Sequence, residues 1–149
     1  MKKILSSILL TIGLTLIIPF NGFPEVNAET HKTMGASNSI STLTRALYIS
    51  HVYQSLSISG TTATLKCDVI GIPGVTTKIK VTGILQRLES GVWKDYKSTG
   101  TQTQDGSRMT YLKTASVVKG YSYRAKFTVT AYAGTAFETF TVFSSAINI

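Results

Sequence analysis

From residue 45 onward the chain is built of short runs in which apolar and polar residues alternate. In Ala63-Thr64-Leu65-Lys66-Cys67-Asp68-Val69, the apolar set is Ala63, Leu65, Cys67 and Val69, while Thr64, Lys66 and Asp68 fall between them. Successive side chains of a strand point to opposite faces, so this spacing predicts a strand with one buried and one wet face. Over Thr77 to Leu85 the predicted inward set is Ile79, Val81, Gly83 and Leu85, with Lys78, Lys80 and Thr82 outward. Over Tyr121 to Tyr132 it is Tyr121, Tyr123, Ala125, Phe127, Val129 and Ala131, with Arg124, Lys126, Thr128 and Thr130 outward. A first strand around Val52 to Ile58 alternates Leu56 and Ile58 against serines. Less cleanly phased strands over Val92–Thr101, Ser107–Thr114 and Ala136–Ser145 bring the expected number to about seven.

Turn residues punctuate these runs: Gly60, Pro73-Gly74, Ser90-Gly91, Asp105-Gly106, Lys119-Gly120 and Gly134. That rhythm predicts antiparallel strands joined by hairpins. Parallel strands, buried on both faces, would read as continuous apolar runs instead. The expected fold class is therefore all-β, an antiparallel two-sheet sandwich. A small closed barrel has the same periodicity and stays open as the alternative at this point.

The N-terminus follows a different pattern. Lys2 and Lys3 precede an apolar run from Ile4 to Ile18, and Pro19, Asn21, Gly22 and Pro24 then interrupt any helix. Val26-Asn27-Ala28 supplies small residues for a cleavage site, as in a secretory signal peptide. A helix over that run would span about 22 Å at 1.5 Å per residue, short of the ~30 Å hydrocarbon core of a bilayer. The expected organisation is a cleaved signal peptide over 1–28, a flexible polar segment over 29–44, and a β-sandwich domain over 45–149. The C-terminal residues Ser145 to Ile149 carry no second apolar helix and no sorting signal. A secreted, extracellular chain with no stable membrane span after cleavage is the expectation.

Charge and cysteine content sharpen this picture. The formal net charge is +8. Removal of Lys2, Lys3 and Glu25 with the signal leaves +7, a balance that favours anionic partners or keeps an exported protein soluble. Cys67 is the single cysteine, so no internal disulfide can form and hydrophobic burial must hold the domain.

Two segments carry a family resemblance. Leu85-Gln86-Arg87-Leu88-Glu89-Ser90-Gly91-Val92-Trp93-Lys94 resembles the strand–hairpin–Trp segment of fibronectin-type or immunoglobulin-like bacterial domains. Lys119-Gly120-Tyr121-Ser122-Tyr123-Arg124-Ala125 is similar to their turn and following strand. With Ser57 to Ala63, the resemblance covers roughly residues 55–145 and points to small secreted immunoglobulin- or fibronectin-III-like β-sandwich proteins of Gram-positive bacteria (Firmicutes). It implies a sandwich with a tyrosine corner made by Tyr121 or Tyr123, the second being favoured. It is nearly silent on function.

Catalytic constellations are sparse. His31 and His51 are not spaced as a metal pair, and Cys67 has no second thiolate beside it. The acidic residues past the expected cleavage site, Glu29, Asp68, Glu89, Asp95, Asp105 and Glu138, do not cluster as calcium ligands, and nothing sets two of them across a cleft as glycoside hydrolysis requires. Cys67 with His51 could be a thiol and its base, but Cys67 falls on the apolar phase and reads better as core. Trp93, Tyr96, Tyr111 and Tyr132 could stack on a carbohydrate, against the plainer reading of core packing and surface tyrosines. The chain is expected to be non-enzymatic, with no cofactor and no metal.

The basic residues offer a more specific expectation. Lys78 and Lys80 project from the outward face of the third strand, and Arg124 and Lys126 from that of the sixth. In an immunoglobulin-like topology these strands are neighbours in one sheet, which would gather four cations into an anion-recognising face. The plainer reading is a scatter of charges that solvates the sheet. The expected partners are cell-wall polymer, acidic glycan or another anionic surface. Nucleic acid is not expected, since no aromatic–basic motif accompanies the charges. The alternative class is a secreted bacteriocin-like or membrane-acting effector.

Overall fold

A computed structural model describes residues 36–41, as backbone, and 46–149. The expected signal peptide over 1–28 with its expected cleavage site, and His31, lie outside the described residues. The strands are β1 (Ala36–Ser41), β2 (Ile49–Ser59), β3 (Thr62–Gly71), β4 (Lys78–Glu89), β5 (Val92–Asp105), β6 (Arg108–Ser116), β7 (Ser122–Ala133), β8 (Ala136–Phe143) and β9 (Ile147–Asn148). The seven long strands β2–β8 match the seven that alternation predicts. Two antiparallel sheets form, one in the order β1-β2-β3-β6 and one in the order β5-β4-β7-β8, with β9 pairing β7. The fold is an all-β, antiparallel two-sheet sandwich. No helix among the described residues is long and apolar enough to cross a membrane.

Part of the polar stretch before the domain is also structured. Ala36–Ser41 pairs antiparallel with Val52–Ser57 of β2, although its composition shows no apolar alternation. Main-chain hydrogen bonding to an existing strand supplies the order that its side-chain pattern does not announce. Residues 29–35 and 42–44 of that stretch, and Arg45 at the start of the expected domain, lie outside the described residues.

The core lies between the sheets. Val52, Leu56, Leu65, Cys67, Ile79, Val81, Leu85, Phe127 and Val129 are buried there, on the phase the alternation assigns them. Tyr121 departs from that phase, being 37% exposed, because β7 starts only at Ser122. Tyr123 is fully buried and forms the tyrosine corner. Its hydroxyl donates to the Val118 carbonyl (2.9 Å) and accepts from the Val118 N–H (3.1 Å), pinning the crossing from β6 to β7.

Two bulges shape the β4–β5 pair. The register slips between Gly83 and Ile84 and between Leu85 and Gln86, leaving Thr99 and Tyr96 of β5 without a partner on β4. An extra residue in one strand reverses the local facing of its side chain. Thr99 thereby reaches the Tyr111 hydroxyl (2.8 Å), and Tyr96 packs on Tyr123 with ring centroids 5.7 Å apart. Tyr111, fully buried on β6, crosses the sandwich and donates to the Gly100 carbonyl (2.9 Å).

Candidate functional site

The outer face of the β5-β4-β7-β8 sheet carries all four basic residues singled out from sequence. The register sets how they are spaced. Lys78 lies opposite Tyr132 and Lys80 opposite Thr130, whereas Lys126 lies opposite Ile84 and Arg124 opposite Gln86. Four residues therefore separate Lys80 from the Lys126 row, about 13 Å at ~3.3 Å per residue. That exceeds the Debye length of about 8 Å at physiological salt. The expectation of one four-residue cluster is corrected to two pairs toward opposite ends of one face. Alternation assigned the face, but only register could assign position along it.

The Arg124 end is internally satisfied. The Arg124 guanidinium sits between the Trp93 ring (4.5 Å) and the Phe143 ring (4.3 Å), and its Nε donates to Gln86 Oε1 (2.8 Å). Gln86 Nε2 donates to Asp95 Oδ1 (2.6 Å), and Lys126 Nζ approaches Asp95 Oδ2 at 3.4 Å. Hydrogen bonding from Gln86, with the Lys126 charge in support, holds the Asp95 carboxyl below the usual carboxylate range against a small desolvation. The cations here are matched by a carboxylate, an amide and two aromatic faces. Trp93, a candidate for carbohydrate stacking, is thus occupied by Arg124.

The Lys78 end is organised differently. Lys78 Nζ lies 4.5 Å from the centroid of the Tyr132 ring. Tyr132 in turn packs on Phe137 of β8 (5.8 Å), which is 63% exposed. Lys80 is exposed, and neither lysine makes an ion pair among the described residues. Asp105, opposite Lys78 on edge strand β5, does not reach it as an ion pair. Thr103, Thr130 and Thr139 share the row of Lys80, and Thr82, Thr101, Thr128 and Thr141 form the next row. Hydroxyls bond across strands within these rows, Thr82 to Thr101 (2.7 Å) and Thr130 to Thr139 (2.9 Å). Sequence reading named Tyr132 but missed Phe137. The signal was available in the alternation of Phe137, Thr139, Thr141 and Phe143 along β8.

The remaining candidates resolve to structural roles. Cys67 is fully buried, and burial, with Asp68 adjacent, pushes its thiol up to about 12. His51 is exposed, bonded to Ser50 Oγ (2.7 Å) and stacked on Tyr53. A thiol facing the core and an imidazole facing solvent do not make a nucleophile–base pair. Tyr111 is core, and Tyr96 lies beneath Arg87 (4.4 Å), so neither offers a free stacking face. Asp68 is bound by Lys66 (2.8 Å) and by the Thr110 hydroxyl (2.7 Å). Partial burial opposes its ionisation, yet these bonds hold its carboxyl below the usual range. Glu138 accepts the amides of Leu47 (2.8 Å) and Tyr48 (2.7 Å) and so ties the entry of β2 to β8.

No family model and no curated protein matches the chain. Among solved structures it is similar over 66% of its length to 16% of a chain described as "putative beta-galactosidase from Bacteroides fragilis", at 14% identity and a TM-score of 0.36.

Proposed function

We propose that this chain is an exported, non-enzymatic β-sandwich module that associates with anionic or glycan-bearing surfaces such as wall polymers. The Lys78–Lys80 end of the β5-β4-β7-β8 face is its point of contact. One observation carries the reading: two lysines that make no ion pair among the described residues stand beside the exposed Phe137, which packs on half-buried Tyr132, and a hydroxyl-lined row. Lys78 and Lys80 are two residues apart on one strand face, about 6.7 Å, so their fields add within a Debye length. Threonine hydroxyls supply donors and acceptors for sugar or phosphate oxygens, and the exposed Phe137 ring supplies an apolar surface for a sugar ring. The basic composition and the signal-like N-terminus support export toward an anionic surface.

Binding to a purified anionic wall polymer, or to an acidic glycan, should be measurable at low ionic strength and fall steeply as salt rises. The double variant Lys78→Gln/Lys80→Gln should lose most of it. Arg124→Gln/Lys126→Gln removes the same net charge and should lose little. Equal loss in both variants would mean that only total charge matters. Dye leakage from anionic vesicles at binding concentrations would move the chain to the membrane-acting class.

A further inference from the structure

Among the described residues the two sheets have four strand edges, and they are not equally protected. Edge strand β5 is broken by two bulges and carries Lys94, Asp95, Lys97 and Asp105. Edge strand β6 carries Arg108 and Lys113. Bulges and charges are the devices that stop one sheet edge from pairing with another. On β1 the edge is short and made of Ala36, Ile40 and four small polar residues. Edge strand β8, Ala136-Phe137-Glu138-Thr139-Phe140-Thr141-Val142-Phe143, has neither proline, glycine nor bulge. Its single charge, Glu138, is turned away to accept the amides of Leu47 and Tyr48. High β-propensity with low charge and no proline marks a strand competent to pair with another.

The polarity of the β8 backbone can be assigned. The Ser144 N–H bonds the Ala125 carbonyl on β7 (2.9 Å). In an antiparallel ladder alternate residues bond the same neighbour, so the even-numbered residues of β8 face β7. The amide and carbonyl groups of Phe137, Thr139 and Thr141 therefore point to the open edge. Phe143 shares that direction, but its carbonyl already accepts from Gln54 Nε2 (3.2 Å). Among the described residues no strand pairs with the outward side of these three, and, centred on Thr139, they form a set that is its own complement under a two-fold axis.

We propose that β8 is a self-association edge, and that a second copy of this chain pairs with it antiparallel about a dyad at Thr139. Thr139 then faces Thr139 of the second copy, and Phe137 faces its Thr141, so that all three residues complete their main-chain hydrogen bonds. Two of the most exposed large apolar side chains flank this edge: Phe137 (63%) on the outer face, and Leu47 (67%), whose amide is held by Glu138 of the same strand. Pairing would cover apolar surface on both sides of the junction. The isologous geometry closes after two copies, as a single symmetric edge requires. It also makes one continuous sheet in which the Lys80–Thr130–Thr139 row runs on into its copy. The pairing does not depend on what that face binds.

Sedimentation of the chain as the cell produces it, with no ligand, tests the pairing. The unmodified protein should show a concentration-dependent dimer. Thr139→Lys points a cation outward at the dyad without touching the core and sets it against its own copy. Like charges directly opposite repel, which should weaken dimerisation on the order of tenfold at low salt. Thr139→Glu should do the same, and an equimolar mixture of the two variants should restore the dimer. Thr128→Lys, one strand further in on the same face, should leave the dimer unchanged. A monomer at every soluble concentration would overturn the proposal, as would a dimer indifferent to Thr139→Lys or a mixture that stays monomeric.

Discussion

Replacing Gly83 of β4 by alanine should destabilise this fold, because Tyr111 and Thr99 already fill the space that the added methyl would need. A Cβ at this position would lie 2.6 Å from the Tyr111 hydroxyl oxygen and from Thr99 Oγ1, and 2.8 Å from Tyr111 Cε1. Tyr111 cannot retreat cheaply, because its ring is fully buried and packs edge-on against Phe127 at 5.8 Å. Overpacking of a well-filled core costs about 1–3 kcal/mol. If the hydroxyl shifts, its bonds to Gly100 and Thr99 weaken, adding about 1–3 kcal/mol for buried polar atoms left unmatched. Loss of glycine's freedom in the unfolded chain returns about 0.4–1 kcal/mol. The net expectation is about 2–4 kcal/mol, or a fall in Tm of roughly 8–16 °C for a domain of this size. Thermal and denaturant unfolding of Gly83→Ala, Tyr111→Phe and the double variant supply the test. Because the Tyr111 hydroxyl is one of the two nearest obstacles, Gly83→Ala should cost less when Phe is at position 111, with a coupling of about 1 kcal/mol. An unchanged Tm, or strictly additive costs, would refute the idea that Tyr111 passes over Gly83.

Cys67 should react slowly with thiol reagents at mildly alkaline pH and quickly in denaturant, because burial pushes its thiol up to about 12; Cys67→Ser should cost about 1–3 kcal/mol through an unpaired buried hydroxyl. Asp68 and Asp95 both titrate below their unfolded values, so their stabilisation is complete above about pH 4 and is lost as pH falls through the lower folded values. The Tm should therefore drop in acid, and Asp95→Asn should flatten that slope. Ser90 and Gly91 both take positive φ, 51° and 79°, at the β4–β5 turn, so Ser90→Asn should stabilise the hairpin by about 0.5 kcal/mol in denaturant unfolding.

Alternation was enough to assign the buried faces of β3, β4 and β7, because a strand with one wet side must alternate. It failed at Tyr121, where the chain is still in the turn, and it could not phase β5, whose two bulges reverse Tyr96 and Thr99. The strand β1 left no apolar pattern, since its order comes from the main chain. The four basic residues were legible as outward-facing, but their separation depends on register, and register depends on turn lengths and bulges that the alternation does not encode. The occupation of Arg124 by Trp93 and Phe143 was hidden for the same reason: the three residues lie on β7, β5 and β8 and meet only across the sheet. Phe137 was overlooked because β8 alternates two aromatics with two threonines on one face, which reads as a poorly phased strand until its neighbour is known.

The claim that the Lys78–Lys80 end is the contact surface is tested most directly by mapping backbone amide shifts on adding a purified anionic wall polymer at low salt. Perturbations should cluster at Lys78–Thr82, Thr103 and Thr130–Phe137, fade together as salt is raised, and leave Trp93, Asp95 and Arg124 almost unmoved. Shifts centred on Arg124, shifts spread evenly over every exposed lysine, or none at all would contradict it.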